Sequence, residues 1–73
     1  MRITAEAKRE TRQRILDEAR ALFERGGFEA ATTRDLAAAA GIATGTLFNY
    51  FPSKEAIAIA LVAEALAGAH LPL

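Results

Sequence analysis

The sequence predicts an all-α fold, and three observations carry that prediction. Alanine is the commonest of the 73 residues, and it is the strongest helix former. No stretch alternates apolar and polar side chains in the two-residue rhythm of a strand. Punctuation at Gly26-Gly27, Gly41, Pro52 and Pro72 cuts the chain into four helical pieces. A chain of this length makes one small domain, with a core that is marginal by itself.

The first piece spans about Ala5 to Arg25. Ile15, Leu16, Ala19, Leu22 and Phe23 recur at helical spacing and form one apolar stripe. Gly26 is expected to end this helix in a left-handed conformation, with Arg25 favourably placed in the last turn. The second piece begins at Thr32, where Thr32-x-x-Asp35 is a capping box with Asp in the place of Glu or Gln. It continues as TRDLAAAA, turns Leu36, Ala37 and Ala40 inward, and stops at Gly41. Ile42 sits in the following turn and can plug the core.

The third piece is expected to cover about Thr44 to Phe51. At 100° per residue Leu47 and Phe51 share an inward face, while Gly45, Thr46, Phe48 and Asn49 point away from it. The fourth piece starts at Ser53, a good N-cap after Pro52, with Lys54 and Glu55 in its first turn. Ile57 and Leu61 line one side of it, and Ile59, Val62 and Leu66 line nearly the opposite side. A helix apolar on two sides is buried on more than one face. Three short helices cover only one of them, so a further domain or a partner is expected on the other.

Composition narrows the function classes. There is no Cys, which excludes disulfides and thiolate metal sites. The single His70, expected to be exposed to solvent, builds no metal site alone. The N-terminus is charged and carries no secretory pattern. The most apolar run, AIAIALVAEALAGAHLPL, contains Glu64 and falls short of the roughly 20 apolar residues of a membrane span. Paired carboxylates, metal ligands, a nucleophile elbow and a phosphate loop are all missing, so no catalytic residue and no cofactor are expected. The formal net charge is zero, but its distribution is uneven. In residues 1–14, Arg2, Lys8, Arg9, Arg12 and Arg14 outnumber Glu6 and Glu10 by three. Such a basic leading end is either a nucleic-acid arm or a solvated helix start.

Two short helices joined by a three- or four-residue turn containing Gly make a helix-turn-helix, and AAAAGIATGTL fits that description. In such a unit the second helix lies in the DNA major groove and its N-terminal residues touch base edges. Gly45 lets the backbone come close, Thr44 and Thr46 offer hydroxyls and methyls, and the Tyr50 phenol can donate to a phosphate. Lys54 and the start of the fourth helix both attract phosphate.

On these residues the chain resembles the N-terminal DNA-binding domain of the TetR family of bacterial transcriptional repressors. The resemblance rests on TTRDLAAAAGIATGTLFNYFPSKEAI, residues 32–57, preceded by RILDEARALFERGGFEAA, residues 14–31. It implies a three-helix, homeodomain-like bundle with its helix-turn-helix in helices two and three, over residues 1–52. Residues 53–73 are then the start of a fourth helix leading to a larger C-terminal domain. In the family that domain binds a small-molecule inducer and forms the homodimer, and inducer binding shifts helix four and spreads the two heads apart. A palindromic double-stranded operator, a cytoplasmic location and no membrane association follow from the resemblance.

Matched position by position, Thr33 resembles the family's phosphate-binding residue at the start of helix two, and Arg34 beside it occupies a position that in some members reaches a base or phosphate. Thr44, Gly45 and Thr46 occupy the base-reading start of helix three, Phe48 and Asn49 its later exposed positions, and Tyr50 and Lys54 two phosphate anchors. Ala43, Thr44 and Phe48 depart from the family's frequent Ser, Lys or Arg, and Tyr, which removes a cap, a charge and a hydroxyl. Phe48 retains contact with a thymine methyl as an option. Met1 reads as a true start, and the short length predicts a fragment of a longer protein. The rival reading is a helical interaction module that docks a partner on Ile59, Val62 and Leu66.

Overall fold

In a computed structural model, residues 4–68 are described. His70 and Arg2 lie outside them. Four helices follow in order: α1 (Ala5–Gly26), α2 (Thr33–Ala40), α3 (Thr44–Tyr50) and α4 (Lys54–Gly68). No strand occurs among the described residues. The all-α fold expected from the sequence is the fold observed.

α1 opens on Thr4, whose hydroxyl accepts from the Ala7 N–H at 3.0 Å, satisfying one of the free amides of a helix start. Its apolar stripe buries Ile15, Leu16 and Ala19, with Leu22 and Phe23 packed beside them. The expected ending at Gly26 is corrected by one residue. Gly26 stays helical, and the positive φ, +90°, belongs to Gly27, whose N–H donates to the Phe23 carbonyl at 2.9 Å. With two adjacent glycines, either can leave the helix without a Cβ penalty. The later exit goes with a Phe28 ring 5.2 Å from that of Phe23, tilted by 58°.

α2 is set at both ends by side-chain and backbone chemistry. The capping box is reciprocal: Thr32 Oγ1 accepts from the Asp35 N–H at 3.0 Å, and Asp35 Oδ2 accepts from the Thr32 N–H at 3.3 Å. At the other end Gly41 takes φ +74° and ψ +31°. Its N–H donates to the Ala38 carbonyl at 3.1 Å, and the Ile42 N–H donates to the Ala37 carbonyl at 2.9 Å. These two bonds are the Schellman pattern, and Ile42 packs on the core as its accompanying apolar contact.

α3 ends one residue earlier than the sequence suggested. Phe51 is extended, with φ −139° and ψ 123°, because Pro52 disfavours the helical region for the residue before it. Phe51 still donates its N–H to the Leu47 carbonyl at 3.0 Å and is buried. α4 then starts on Ser53, whose hydroxyl accepts from the Ala56 N–H at 3.1 Å.

α1 is the element against which the rest is assembled: it packs on α2 and α4, and α2 packs on α3. One cluster joins Ile15, Leu16 and Ala19 of α1, Leu36, Ala37 and Ala40 of α2, Leu47 and Phe51 at α3, and Ile57 of α4. The Arg14 Nε–H adds a long-range tie by donating to the Ala40 carbonyl at 2.9 Å. A cation at the negative end of α2 suits the helix dipole. Arg20 pairs with Glu64 at 3.0 Å, linking α1 to α4, although an exposed pair of this kind contributes little.

Replacing Gly41 by Ala is expected to lower stability by about 1–2 kcal/mol, the cost of holding a Cβ in the left-handed region. Nothing lies within 4 Å of the added Cβ, so the loss is conformational and Gly41→Asn should recover part of it. Urea unfolding of the two variants checks both statements. An unchanged midpoint for Gly41→Ala would contradict the turn geometry.

Candidate nucleic-acid interface

The surface in question is assembled by the turn between α2 and α3. Because Gly41 closes the Schellman pattern, the chain re-enters helix at Thr44 with Leu47 facing inward, where it is fully buried. A helix that commits Leu47 to the core, and whose next residue Phe51 is buried too, presents its remaining side chains elsewhere. Phe48 is 45% exposed, Gly45 and Asn49 are exposed, and Thr44, Thr46 and Tyr50 are half-buried. Tyr50 rests its ring against the core cluster.

Gly45 has no packing reason to be glycine. A Cβ added there meets nothing within 4 Å, and its φ is not in the left-handed region. A glycine in a helix costs stability relative to alanine, and nothing within the fold offsets that cost. The same holds for Phe48, a large ring left partly in water. Both residues are unexplained by the fold and lie on the same short helix.

The structure brings three of the sequence-predicted residues together. Thr46, Asn49 and Tyr50 line one wall of an open cleft of about 680 Å³, and Lys8, Arg9 and Arg12 of α1 line the other. Thr33, half-buried, and Arg34, exposed, stand apart from it at the start of α2. There the first amides of the helix lack intrahelical acceptors.

Lys54 also lies away from the cleft. Its ammonium donates to the Phe28 carbonyl at 2.7 Å and sits 4.2 Å from the centre of the Phe28 ring. A charge-assisted bond and a cation–π contact therefore tie the start of α4 to the connection between α1 and α2. This internal role was not foreseen. An ammonium has three donors, so the bond to Phe28 leaves two of them for another acceptor.

The α1 cations are the residues that reasoning position by position left out. The excess of positive charge in residues 1–14 was their signal, but only the fold places Lys8, Arg9 and Arg12 across from α3. Arg12 is held with its guanidinium 5.2 Å from the centre of the Phe51 ring. α3 itself, TGTLFNY, has no charged side chain. The surface thus pairs a neutral helix, offering hydroxyls, an amide and an aromatic ring, with cations supplied by its neighbours. Among the described residues no group of His, Cys, Asp and Glu is placed to hold a metal ion. No helix among them is long and apolar enough to cross a membrane.

The family model described as bacterial regulatory proteins, tetR family, matches residues 15–61. The HTH-type transcriptional repressor KstR of Mycolicibacterium smegmatis is 52% identical over 50 residues, covering 68% of this chain and 24% of that protein. KstR of Rhodococcus jostii is 43% identical over 62 residues, covering 85% of this chain and 29% of that protein. The HTH-type transcriptional regulator UidR of Escherichia coli is 39% identical over 54 residues, covering 74% of this chain and 28% of that protein. The chain thus spans about a quarter of the length of these curated relatives. No solved structure matches it.

Gly45→Ala is expected to raise stability by about 0.5–1 kcal/mol, since the added methyl has room and improves helix propensity. Thermal or urea unfolding reads this directly. A loss of stability would mean that Gly45 serves the fold after all.

Proposed function

The chain belongs to the tetR family of bacterial regulatory proteins, and we propose that it binds double-stranded DNA in sequence-specific fashion, with α3 in the major groove. The observation that carries this reading is the outward set on α3. Gly45 in open space and Phe48 at 45% exposure cost the fold stability or solubility and have no partner in it. A close approach to a duplex uses both: the glycine admits the helix backbone, and the ring can meet a thymine methyl. Thr44, Thr46 and Asn49 add groups able to read base edges.

In this reading Thr33, Arg34, Tyr50 and Lys54 position the domain on phosphates and carry no sequence information. Residues 1–52 form the DNA-binding unit, and residues 53–73 form a connector to a further domain that dimerises and takes a small-molecule inducer. A two-fold dimer calls for a palindromic operator. Repression, as in the relatives named repressors, is the regulatory outcome we favour, in the cytoplasm and without catalysis.

A second reading has its own support. Ile59, Val62 and Leu66 on α4 are 69%, 60% and 70% exposed, and with Ala58 and Ala63 they line a shallow apolar groove. Such a face suits a protein partner. Sedimentation over a range of concentrations tests its self-association form, and a monomer throughout would remove that form.

The first test is a residue-resolved NMR titration with a mixed-sequence duplex at low salt. Shifts are expected at Thr33, Gly45 to Tyr50 and Lys54, and no shift anywhere would overturn the DNA reading. Lys54→Ala is expected to reduce the dependence of log affinity on log salt by about 0.9, one phosphate contact, and to leave sequence preference intact. An unchanged slope would remove Lys54 from the phosphate contacts. Because the same change deletes the bond to Phe28, it should also cost about 1–2 kcal/mol of stability, so affinity is compared where both proteins are folded.

A further inference from the structure

We propose that the first two turns of α1 form a separate DNA-backbone site, in which Lys8, Arg9 and Arg12 grip the phosphates that border the groove occupied by α3. The proposal rests on the DNA reading above and adds to it the residues that supply most of the electrostatic attraction.

Four observations lead there. The first is a deficit. Affinity for duplex DNA is dominated by cations that neutralise phosphates and release counterions, and α3 has none. Its neighbours must provide them. Arg34 and Lys54 are single charges, and one donor of Lys54 is already on the Phe28 carbonyl.

The second is geometric. The cleft beside α3 has Thr46, Asn49 and Tyr50 on one wall and Lys8, Arg9 and Arg12 on the other, with no acidic residue lining it. A backbone strand lying in this cleft would have cations on one side and the reading helix on the other. The three cations are exposed, and among the described residues none of them is paired with a carboxylate.

The third is placement. Lys8 and Arg9 are the fourth and fifth residues of α1, toward the end of the helix whose dipole favours anions and gives cations no support. Glu6 meets that preference in the first turn, while Glu6 and Glu10 both stay off the cleft wall. The cations of this end are grouped on the side that faces α3.

The fourth is registration. The Arg12 guanidinium lies over the Phe51 ring, and Phe51 is the buried residue that terminates α3. The cation is therefore held in fixed relation to the helix that reads the bases. A flexible tail of equal charge would add attraction without that relation.

The test is fluorescence anisotropy of the chain with a labelled mixed-sequence duplex over a series of KCl concentrations. Four variants are compared with the unaltered chain: Lys8→Gln with Arg9→Gln, the same pair with Arg12→Gln, Arg25→Gln as a charge control at the far end of α1, and Thr46→Ala. The double variant leaves the Arg12–Phe51 contact intact and guards against a folding defect in the triple. The slope of log affinity against log salt is expected to fall by about 2 in the double and by nearly 3 in the triple variant, at about 0.9 per contact. Arg25→Gln should leave it unchanged. Slopes equal to that of the unaltered chain in both the double and the triple variant would overturn the proposal. If Thr46→Ala, compared on this duplex and on a second one of different sequence, then altered the ratio of the two affinities, the DNA reading would stand while the α1 site fell. Failure of the unaltered chain to bind at low salt would remove both.

Discussion

The turn at Gly41 is the constraint on which the remaining geometry depends. Its left-handed conformation lets two successive amides, those of Gly41 and Ile42, return to α2 carbonyls, and this sets the direction in which the chain leaves. From that direction Leu47 and Phe51 reach the cluster made by α1 and α2. A buried leucine contributes about 1.5–3 kcal/mol through its apolar surface, a large share of the stability of so small a domain. One backbone conformation therefore decides both which side chains of α3 are spent on cohesion and which are left outside.

α1 has two jobs that use different parts of its length. Its middle supplies Ile15, Leu16 and Ala19 to the core, and its side chains tie down the other helices. Arg14 holds the end of α2 and Arg20 reaches α4. Its beginning faces α3 across the cleft. The cohesion of the domain and its charge distribution are thus carried by one rigid helix, and a displacement of α1 would change both together. The apolar strip on α4 belongs to neither job.

Local chemistry was legible in the sequence wherever it acts over a few residues. Thr32 with Asp35, Gly41 as a helix end and Ser53 as a cap are each written within four positions, and each is found in the structure. So is the division of α3 into an inward Leu47 and an outward Phe48 and Asn49, because helical phase needs only a count. Errors arose where two equivalent choices adjoin or where a later residue intervenes. Gly26 and Gly27 are interchangeable until the fold selects Gly27, and Pro52 withdraws Phe51 from the helix. The contacts of Lys54 with Phe28 and of Arg14 with Ala40 each join residues 26 positions apart. No periodicity encodes such pairs, so the internal partner of Lys54 and the cleft between α1 and α3 became visible only in three dimensions.

α3 is seven residues long and has no side-chain cap at Ala43. A peptide of that length has no helical stability by itself, so α3 is a helix because Leu47 and Phe51 anchor it to the core. The outward positions are then nearly free of structural duty. Exchanging Gly45, Phe48 or Asn49 for other residues alters the chemistry on display while leaving the anchors in place. Under the proposed DNA reading, such a frame can acquire a new preference by a few point changes without first becoming less stable. Its surface can diversify under selection at little risk to the domain that carries it.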